Sequence, residues 1–203
     1  MKIFCVGRNY ADHAKELGNA VPEEPVIFMK PKTALLQPNA PFYYPAFSNE
    51  LHYEVEIVLR ICKNGKGVEE QDAHQYYDAF TIGIDFTARD LQAELKKKGL
   101  PWEKAKAWDN SAITGTWKDF TPEILGSPMV FSLQKNHEPV QLGNTQDMIF
   151  SFNKIVSHIS QYFSLNIGDY IYTGTPAGVG ECKTGDLLEG YFDKEKMFTL
   201  EIK

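Results

Sequence analysis

The stretch from Leu51 to Leu59 constrains this chain more than any other part of its sequence. With the two-residue period of a β-strand, one face is apolar and the other carries His52, Glu54 and Glu56. The Cα atoms of the two glutamates would lie about 6.6 Å apart, so both carboxylates can reach one cation. An acidic outer face is also the ordinary pattern of a half-exposed strand. The stretch therefore predicts a strand and leaves open whether its acidic face binds a metal.

A second strand, predicted for Phe80 to Thr87, offers a third acidic side chain. Alternation places Asp85 on the same face as Gly83, whereas the opposite face is apolar. A buried carboxylate without a partner is costly, so Asp85 should contact either a metal ion or a neutralising group of the protein. Together with the two glutamates it forms a candidate set of oxygen ligands for a hard cation such as Mg²⁺.

A histidine and a glutamate share one face of the helix predicted between Tyr10 and Leu17. His13 and Glu16 are three residues apart, which brings their side chains within contact range. They are either an ordinary exposed pair or a general base, in which the glutamate orients the histidine so that it activates water. The segment that follows is polar and contains two prolines. Residues 10–25 are therefore a candidate mobile lid.

Two further segments supply polar residues that can reach the same place. Residues Arg89 to Lys98 predict a helix that ends at Gly99, with Arg89 and Gln92 on one face near its start. Lys106 lies among aromatic residues, where it either extends its ammonium group to solvent or binds substrate.

A glycine-rich loop runs from Thr173 to Gly180. It matches neither the nucleotide P-loop nor the dinucleotide fingerprint, because no Gly-Lys-Ser/Thr and no helical pattern follow it. Its backbone amides and threonine hydroxyls could hold a carboxylate, and a plain turn explains the composition equally well.

The remaining pattern predicts a strand-rich chain with one long amphipathic helix. Apolar residues recur with helical spacing between Thr145 and Phe163, and this helix should cover a sheet. The Asn64-Gly65 dipeptide predicts a tight hairpin turn, and Glu69 to Ala79 has a helical composition. Two more hairpins are predicted, one around Lys135–His137 and one that joins Leu187–Phe192 to Met197–Ile202.

Composition narrows the class of protein. The 203 residues, 43% of them hydrophobic, suffice for one domain with its own core. A net charge of −6 disfavours nucleic acid and anionic membrane surfaces as partners. Three scattered cysteines indicate neither a disulfide framework nor a zinc site, and the short apolar start does not resemble a signal peptide. A cytoplasmic protein is therefore expected.

Six ordered segments carry a resemblance to a known family: Gly7–His13, His52–Glu56, Asp85–Asp90, Lys97–Trp102, Met148–Phe150 and Thr173–Pro176. Together they resemble the fumarylacetoacetate hydrolase family, and most closely its small acylpyruvate hydrolase and oxaloacetate decarboxylase members. The resemblance spans nearly the whole chain, and six segments in order are more specific than any one of them.

The resemblance implies a strand-rich α+β fold, a mixed β-sandwich roll with peripheral helices. It implies one fumarylacetoacetase-like catalytic domain over residues 1–203, assembled as a homodimer. It also implies Mg²⁺ or Mn²⁺ held by the metal ligands Glu54, Glu56 and Asp85. The implied roles of the other site residues are a His13–Glu16 dyad that positions water, a catalytic and substrate-binding Lys106, and substrate contacts from Arg89, Gln92 and Thr175.

The expected function is that of a Mg²⁺-dependent hydrolase that cleaves a carbon–carbon bond in 2,4-dioxo acids (acylpyruvates) through a metal-stabilised enolate. Decarboxylation of oxaloacetate needs the same enolate and is a second expected activity. An isomerase or hydratase of 2-oxo-diene acids is an alternative, although isomerisation needs no water nucleophile and would leave His13 and Glu16 without that role. A non-catalytic domain in which the cation only staples the sheet is the alternative from another class. His52 is expected to flank the site without binding the metal.

Overall fold

The computed structural model describes residues 1–16, 18, 20–125 and 127–203. In chain order its strands are β1 (Ile3–Gly7), β2 (Val26–Lys30), β3 (Leu51–Tyr53), β4 (Val55–Ile61), β5 (Tyr77–Asp85), β6 (Thr87–Ala88), β7 (Ala112–Thr114), β8 (Lys118–Asp119), β9 (Val130–Lys135), β10 (Glu138–Asn144), β11 (Tyr170–Tyr172), β12 (Gly180–Cys182), β13 (Leu187–Phe192) and β14 (Glu195–Glu201). The α-helices are α1 (Ala11–Glu16), α2 (Arg89–Lys98), α3 (Glu103–Lys106), α4 (Pro122–Leu125) and α5 (Phe152–Tyr162). Short 3₁₀ helices cover Lys32–Ala34, Glu70–Gln75 and Thr145–Asp147.

Three sheets organise these strands. The largest has seven strands in the order β2-β1-β11-β4-β5-β7, with β8 also paired to β5. It is mixed, because β1 and β11 run parallel while its other pairs are antiparallel. A four-stranded sheet has the order β10-β9-β13-β14, and a three-stranded sheet has the order β12-β3-β6. The expected strand-rich α+β fold is confirmed. Among the described residues, no helix has the length and apolar character needed to cross a membrane.

The seven-stranded sheet is buried on both faces, which explains why its strands are nearly continuous hydrophobic runs. One face packs with the four-stranded sheet and α5 into the main core, where Ile57, Ile82, Phe131 and Ile155 are fully buried. Each such side chain contributes about 1.5–3 kcal/mol through burial. The opposite face carries a smaller apolar cluster that consists of Ile3, Cys5, Val58, Ala112 and Tyr172. The two-residue period places Glu56 on this second face, beside Val58.

The predicted acidic strand is divided into two strands at Glu54. Residues before it, in β3, pair with β12 and β6, whereas residues after it, in β4, pair with β5 and β11. The Val55 amide, just past the break, donates to the side chain of Gln141 at 2.9 Å. Glu54 and Glu56 are only 6% and 2% exposed, so the interpretation as a half-exposed strand is wrong.

Two predicted helices begin or end elsewhere because distant groups compete for their backbone. The helix predicted from Thr145 begins at Phe152, since the Asn9 side chain accepts the Phe150 amide at 2.7 Å and the Ser151 hydroxyl caps the new start. The helical composition of Glu69 to Ala79 yields only a short 3₁₀ helix, and the final three residues belong to β5.

Other local predictions are confirmed where the turn chemistry is strong. Helix α2 spans the predicted residues and ends at Gly99, whose φ of 64° lies in the left-handed region. Both later hairpins form, and the first turns through Asn136 and His137 with positive φ angles of 53° and 70°. The prediction of a tight hairpin at Asn64-Gly65 is wrong. The strand that pairs with β4 is β5, and it begins only at Tyr77.

Gly83 lets β5 pack closely against its neighbours, and this generates a prediction for stability. A Cβ at this position would lie 2.4 Å from the Ile113 carbonyl oxygen and 2.9 Å from Val58 Cγ2. We expect Gly83→Ala to lower the free energy of unfolding by about 2 kcal/mol through overpacking, measured by denaturant titration. Gly7→Ala is the control, because its Cβ would have an ordinary contact at 3.8 Å. Equal stability of the two variants would contradict this account.

Candidate functional site

Three buried carboxylates converge where β4 begins and β5 ends. Glu56 pairs with Gly83 across the two strands, and the Asp85 amide donates to the Glu54 carbonyl oxygen at 2.9 Å. The three side chains therefore lie on the same side of the sheet, and one oxygen from each lies within 4.8 Å of the others. The structure thus brings together all three residues that the sequence offered as metal ligands.

Three basic side chains contact two of these carboxylates, Glu54 and Asp85. The Lys106 ammonium group donates to Glu54 Oε2 and to Asp85 Oδ2, both at 2.7 Å. Arg89 Nη2 donates to Glu54 Oε1 at 2.7 Å, and Lys30 Nζ lies 2.7 Å from Asp85 Oδ1. Lys106 is only 3% exposed, which excludes the interpretation that its ammonium group extends to solvent.

The protonation of these groups follows from burial and from their neighbours. Burial raises the pKa of Glu54, but the positive charges of Lys106 and Arg89 have the larger effect. They lower the pKa of this carboxyl far below its usual value. Burial, together with the negative charges of Asp85 and Glu54, raises the pKa of Glu56 well above its usual value. Burial alone would lower the pKa of Lys106, yet Asp85 and Glu54 raise it, so this lysine is charged.

The donor set fits a hard divalent cation. Within the described residues, Asp85 Oδ1 is buried and accepts no hydrogen bond of good geometry. Lys30 Nζ forms an ion pair with it at 2.7 Å and donates hydrogen bonds to the carbonyl and hydroxyl oxygens of Ser111 at 2.8 and 3.0 Å. A cation bound here could use this oxygen, and it would reduce the repulsion between carboxylates that raises the pKa of Glu56. Because all three ligands are carboxylates, the chemistry favours Mg²⁺ or Mn²⁺ over softer metals.

The predicted histidine–glutamate pair stands beside this centre. His13 Nδ1 lies 3.4 Å from a Glu16 oxygen, and that carboxylate also accepts the Gly178 amide at 3.2 Å. A proton on Nδ1 would leave Nε2 of His13 free to act as a base. Burial lowers the pKa of His13, although Glu54 and Glu16 partly oppose it. Leu17 and Asn19 lie outside the described residues, so mobility of residues 10–25 stays a prediction.

One cleft contains most of the predicted site residues. Its lining includes the three carboxylates and five of the six other candidates, namely His13, Arg89, Gln92, Lys106 and Thr175. The sixth, Glu16, is not among the lining residues and contacts His13, which is. The glycine-rich loop contributes backbone donors to the protein's own carboxylates, because the Gly174 amide donates to Glu56 at 2.7 Å. Thr175 is held by the Gln141 amide at 2.9 Å.

Sequence reasoning missed two residues with clear contacts. Lys30 is 1% exposed and lies behind Asp85. The signal was available, because a lysine at the end of an otherwise apolar strand requires the same explanation as an aspartate there. Gln141 left no comparable signal, since its contacts depend on segments far apart in the sequence.

His52, which was expected only to flank the site, supports Arg89. Its Nδ1 accepts from Arg89 Nε at 3.3 Å, and its Nε2 lies 3.0 Å from Glu50. Arg89 also donates to Gln92 Oε1 at 2.7 Å and to Glu54. These bonds use three of its five N–H groups and orient the guanidinium, and among the described residues the other two N–H groups have no partner.

Comparisons with known proteins match nearly the whole chain. A family model described as fumarylacetoacetate (FAA) hydrolase C-terminal matches residues 2–201. Oxaloacetate tautomerase YcgM of Escherichia coli (strain K12) is 41% identical over 203 residues, which cover 98% of this chain and 91% of that protein. Mitochondrial oxaloacetate tautomerase FAHD1 of Homo sapiens is 43% identical over 190 residues, which cover 92% of this chain and 85% of that protein.

A solved structure is similar over the same length. The crystal structure of fumarylpyruvate hydrolase from Pseudomonas aeruginosa in complex with Mn²⁺ and pyruvate has a TM-score of 0.91 and 33% sequence identity. The alignment covers 100% of this chain and 89% of that chain.

Removal of one ligand charge tests the proposed cation site. Glu56→Gln keeps an oxygen that can accept the Gly174 amide, so the fold should persist, but it removes one carboxylate from the ligand set. We expect the affinity for Mn²⁺ to fall at least about tenfold, or about 1.4 kcal/mol, in titrations of chelator-treated protein. The exposed Glu138→Gln is the control of equal charge. Unchanged affinity in Glu56→Gln would remove Glu56 from the ligand set.

Proposed function

This chain belongs to the fumarylacetoacetate hydrolase family, and from that premise we propose that it is a divalent-metal-dependent enzyme that forms the enolate of a small 2-oxo acid. The observation that carries the proposal is the convergence of Glu54, Glu56 and Asp85 in a cleft that is also lined by His13 and Arg89. A cation that only stapled the sheet would need neither a base nor an arginine with free donors beside it.

Each group in the cleft has a separate role in binding the substrate and stabilising its enolate. A bound Mg²⁺ or Mn²⁺ would supply a Lewis acid that polarises the 2-oxo group and favours negative charge on its oxygen. Arg89 can donate two N–H groups to the carboxylate of the substrate. Lys106 keeps a fixed positive charge next to the position where the enolate oxygen develops. The substrate is thereby oriented by groups that need no rearrangement during the reaction.

The first candidate reaction is interconversion of the keto and enol forms of oxaloacetate. His13 Nε2 would remove a proton from C3 while the electron pair moves into the enolate, and protonation of the enolate oxygen would complete the enol. His13 is suited to this role because its lowered pKa keeps it neutral near pH 7. The tautomerase from Escherichia coli, similar along nearly its whole length, favours this reaction.

The second candidate is hydrolytic cleavage of acylpyruvates, favoured by the contact of His13 with Glu16. The dyad would take a proton from water, and the resulting hydroxide would add to the C4 carbonyl. Breaking the C3–C4 bond would then release a carboxylic acid and leave the electron pair in the enolate of pyruvate, which is protonated afterwards. Both reactions pass through an enolate, so the same cleft can serve either one.

A substrate panel tests the proposal. Keto–enol interconversion of oxaloacetate, its decarboxylation, and hydrolysis of acetylpyruvate and fumarylpyruvate would be measured with Mg²⁺ and with a chelator. We expect the chelator to remove every enzymatic activity, and His13→Ala to lower keto–enol interconversion and hydrolysis by about 10²-fold or more while Mn²⁺ binding persists. The largest kcat/KM identifies the principal reaction. Chelator-resistant turnover, or no turnover of any compound, would refute the proposed function.

The pH dependence tests the role of His13 as a base. Because the neutral imidazole is the active form, kcat/KM should fall as pH drops through the pKa of His13, which lies below its ordinary value of 6.5. Glu16 raises this pKa, so Glu16→Gln should move the acid limb to lower pH while also reducing the plateau rate. Glu23→Gln, an exposed change in the same segment, should leave the profile in place. A shift to higher pH in Glu16→Gln would contradict the assignment.

A further inference from the structure

Two basic residues that line the cleft have no role in the reactions described above. Arg8 and Lys96 both contribute to its wall, together with the base His13 and the arginine Arg89. Neither forms an ion pair with a carboxylate of the described residues, in contrast to Lys106, which contacts two carboxylates. Positive charge therefore remains uncompensated in this part of the cleft.

Arg8 is held in a backbone conformation that its side chain does not favour. Its φ of 62° lies in the left-handed region, where glycine is the usual residue. It follows Gly7 at the end of β1, immediately before the segment that carries His13. Strained residues of this kind cluster at functional sites, and Arg8 lines the cleft that contains the candidate site.

Lys96 approaches the cleft from α2, two turns after Arg89. Its ammonium group lies 5.4 Å from the centre of the Trp102 ring, which supports the side chain along the cleft wall. Lys96 is exposed at the edge of the cleft, yet desolvation beside the cleft wall and the positive charges of Arg89 and Arg8 lower its pKa. The positive charge of Arg8 thus disfavours the charged form of Lys96. An anion bound between the two side chains would reduce this repulsion.

The floor of the cleft, formed by Glu54, Glu56 and Asp85, does not need Arg8 and Lys96 to balance its charge. Two of its three carboxylates, Glu54 and Asp85, already contact Lys106, Arg89 and Lys30. A divalent cation at the floor would increase the positive excess further, so electrostatic attraction favours a ligand with more than one negative group.

We propose that Arg8 and Lys96 form a second carboxylate subsite, which makes the substrate a 2-oxo acid with a further carboxylate at its distal end. This inference rests on the proposed function and extends it by naming the class of substrate. One carboxylate would bind at the floor beside Arg89, and the other would bind between Arg8 and Lys96. Oxaloacetate and fumarylpyruvate have this form, whereas acetylpyruvate lacks the distal carboxylate.

The test uses two unreactive probes that differ only at the distal end. L-Malate and L-lactate share a 2-hydroxy carboxylate, and malate adds the second carboxylate. Binding to the Mg²⁺-loaded protein would be measured by calorimetry for the parent and for Arg8→Asn, Lys96→Gln and Lys97→Gln. Asparagine tolerates the left-handed conformation, so Arg8→Asn removes charge without added backbone strain. Lys97 is exposed on the same helix and does not line the cleft, so it is the matched control.

We expect the parent to bind malate at least tenfold more tightly than lactate. Arg8→Asn and Lys96→Gln should each weaken malate at least fivefold and change lactate less than twofold, while Lys97→Gln changes neither. The proposal is overturned if the parent does not prefer malate, if both charge-removing variants leave malate unchanged, or if they weaken the two probes equally.

Turnover of oxaloacetate by the same proteins separates this proposal from the proposed function. Preference for malate that is lost in Arg8→Asn and Lys96→Gln, without turnover in the parent, would uphold the subsite and refute the reaction. Turnover with an unchanged KM in both variants would uphold the reaction and overturn the subsite.

Discussion

The structure depends on one buried contact, the Lys106 ammonium group between Glu54 and Asp85 at 2.7 Å from each. Like charges that face each other across neighbouring strands destabilise a sheet, and burial makes the repulsion stronger. Loss of one partner from such a buried group costs about 3–5 kcal/mol, because it leaves an uncompensated charge. The segment between β6 and β7 therefore stabilises the fold, because its helix α3 places Lys106 at the start of β4 and the end of β5.

The glycine-rich loop links this centre to the candidate base. The Gly174 amide donates to Glu56, and the Gly178 amide donates to Glu16. Glycine is required at both positions, because their φ angles of 106° and 95° lie where other residues are strained. An added Cβ would lie 2.6 Å from Asn9 Cβ at Gly174 and 2.4 Å from the Val140 carbonyl oxygen at Gly178. The loop thus fixes a metal-ligand candidate and the orientation of the dyad through backbone atoms alone.

Much of this could be predicted from the sequence, because the signals were local. The two-residue period located the three carboxylates, and Gly99 marked the end of α2. What failed depends on contacts between distant segments. The start of α5 is set by Asn9, whose side chain bonds Phe150 across 141 residues, and no local pattern reports such a bond. The break at Glu54 likewise reflects two sheets that meet there, a property of the fold and not of the strand.

The charges at the floor, where Glu54, Glu56 and Asp85 lie, support the proposed stabilisation of an enolate over a keto acid. Burial and the charges of Asp85 and Glu54 raise the pKa of Glu56 and so favour its neutral form. A divalent cation bound by Glu54, Glu56 and Asp85 would favour the ionised form of all three carboxyl groups. With the carboxylates matched by Lys106, Lys30 and Arg89, the excess is then that of the cation itself. A keto acid brings one negative charge to the floor, whereas its enolate brings two. The charge balance is therefore complete only after the proton or the acyl group has left, which is the condition for stabilising the reacting state more than the substrate.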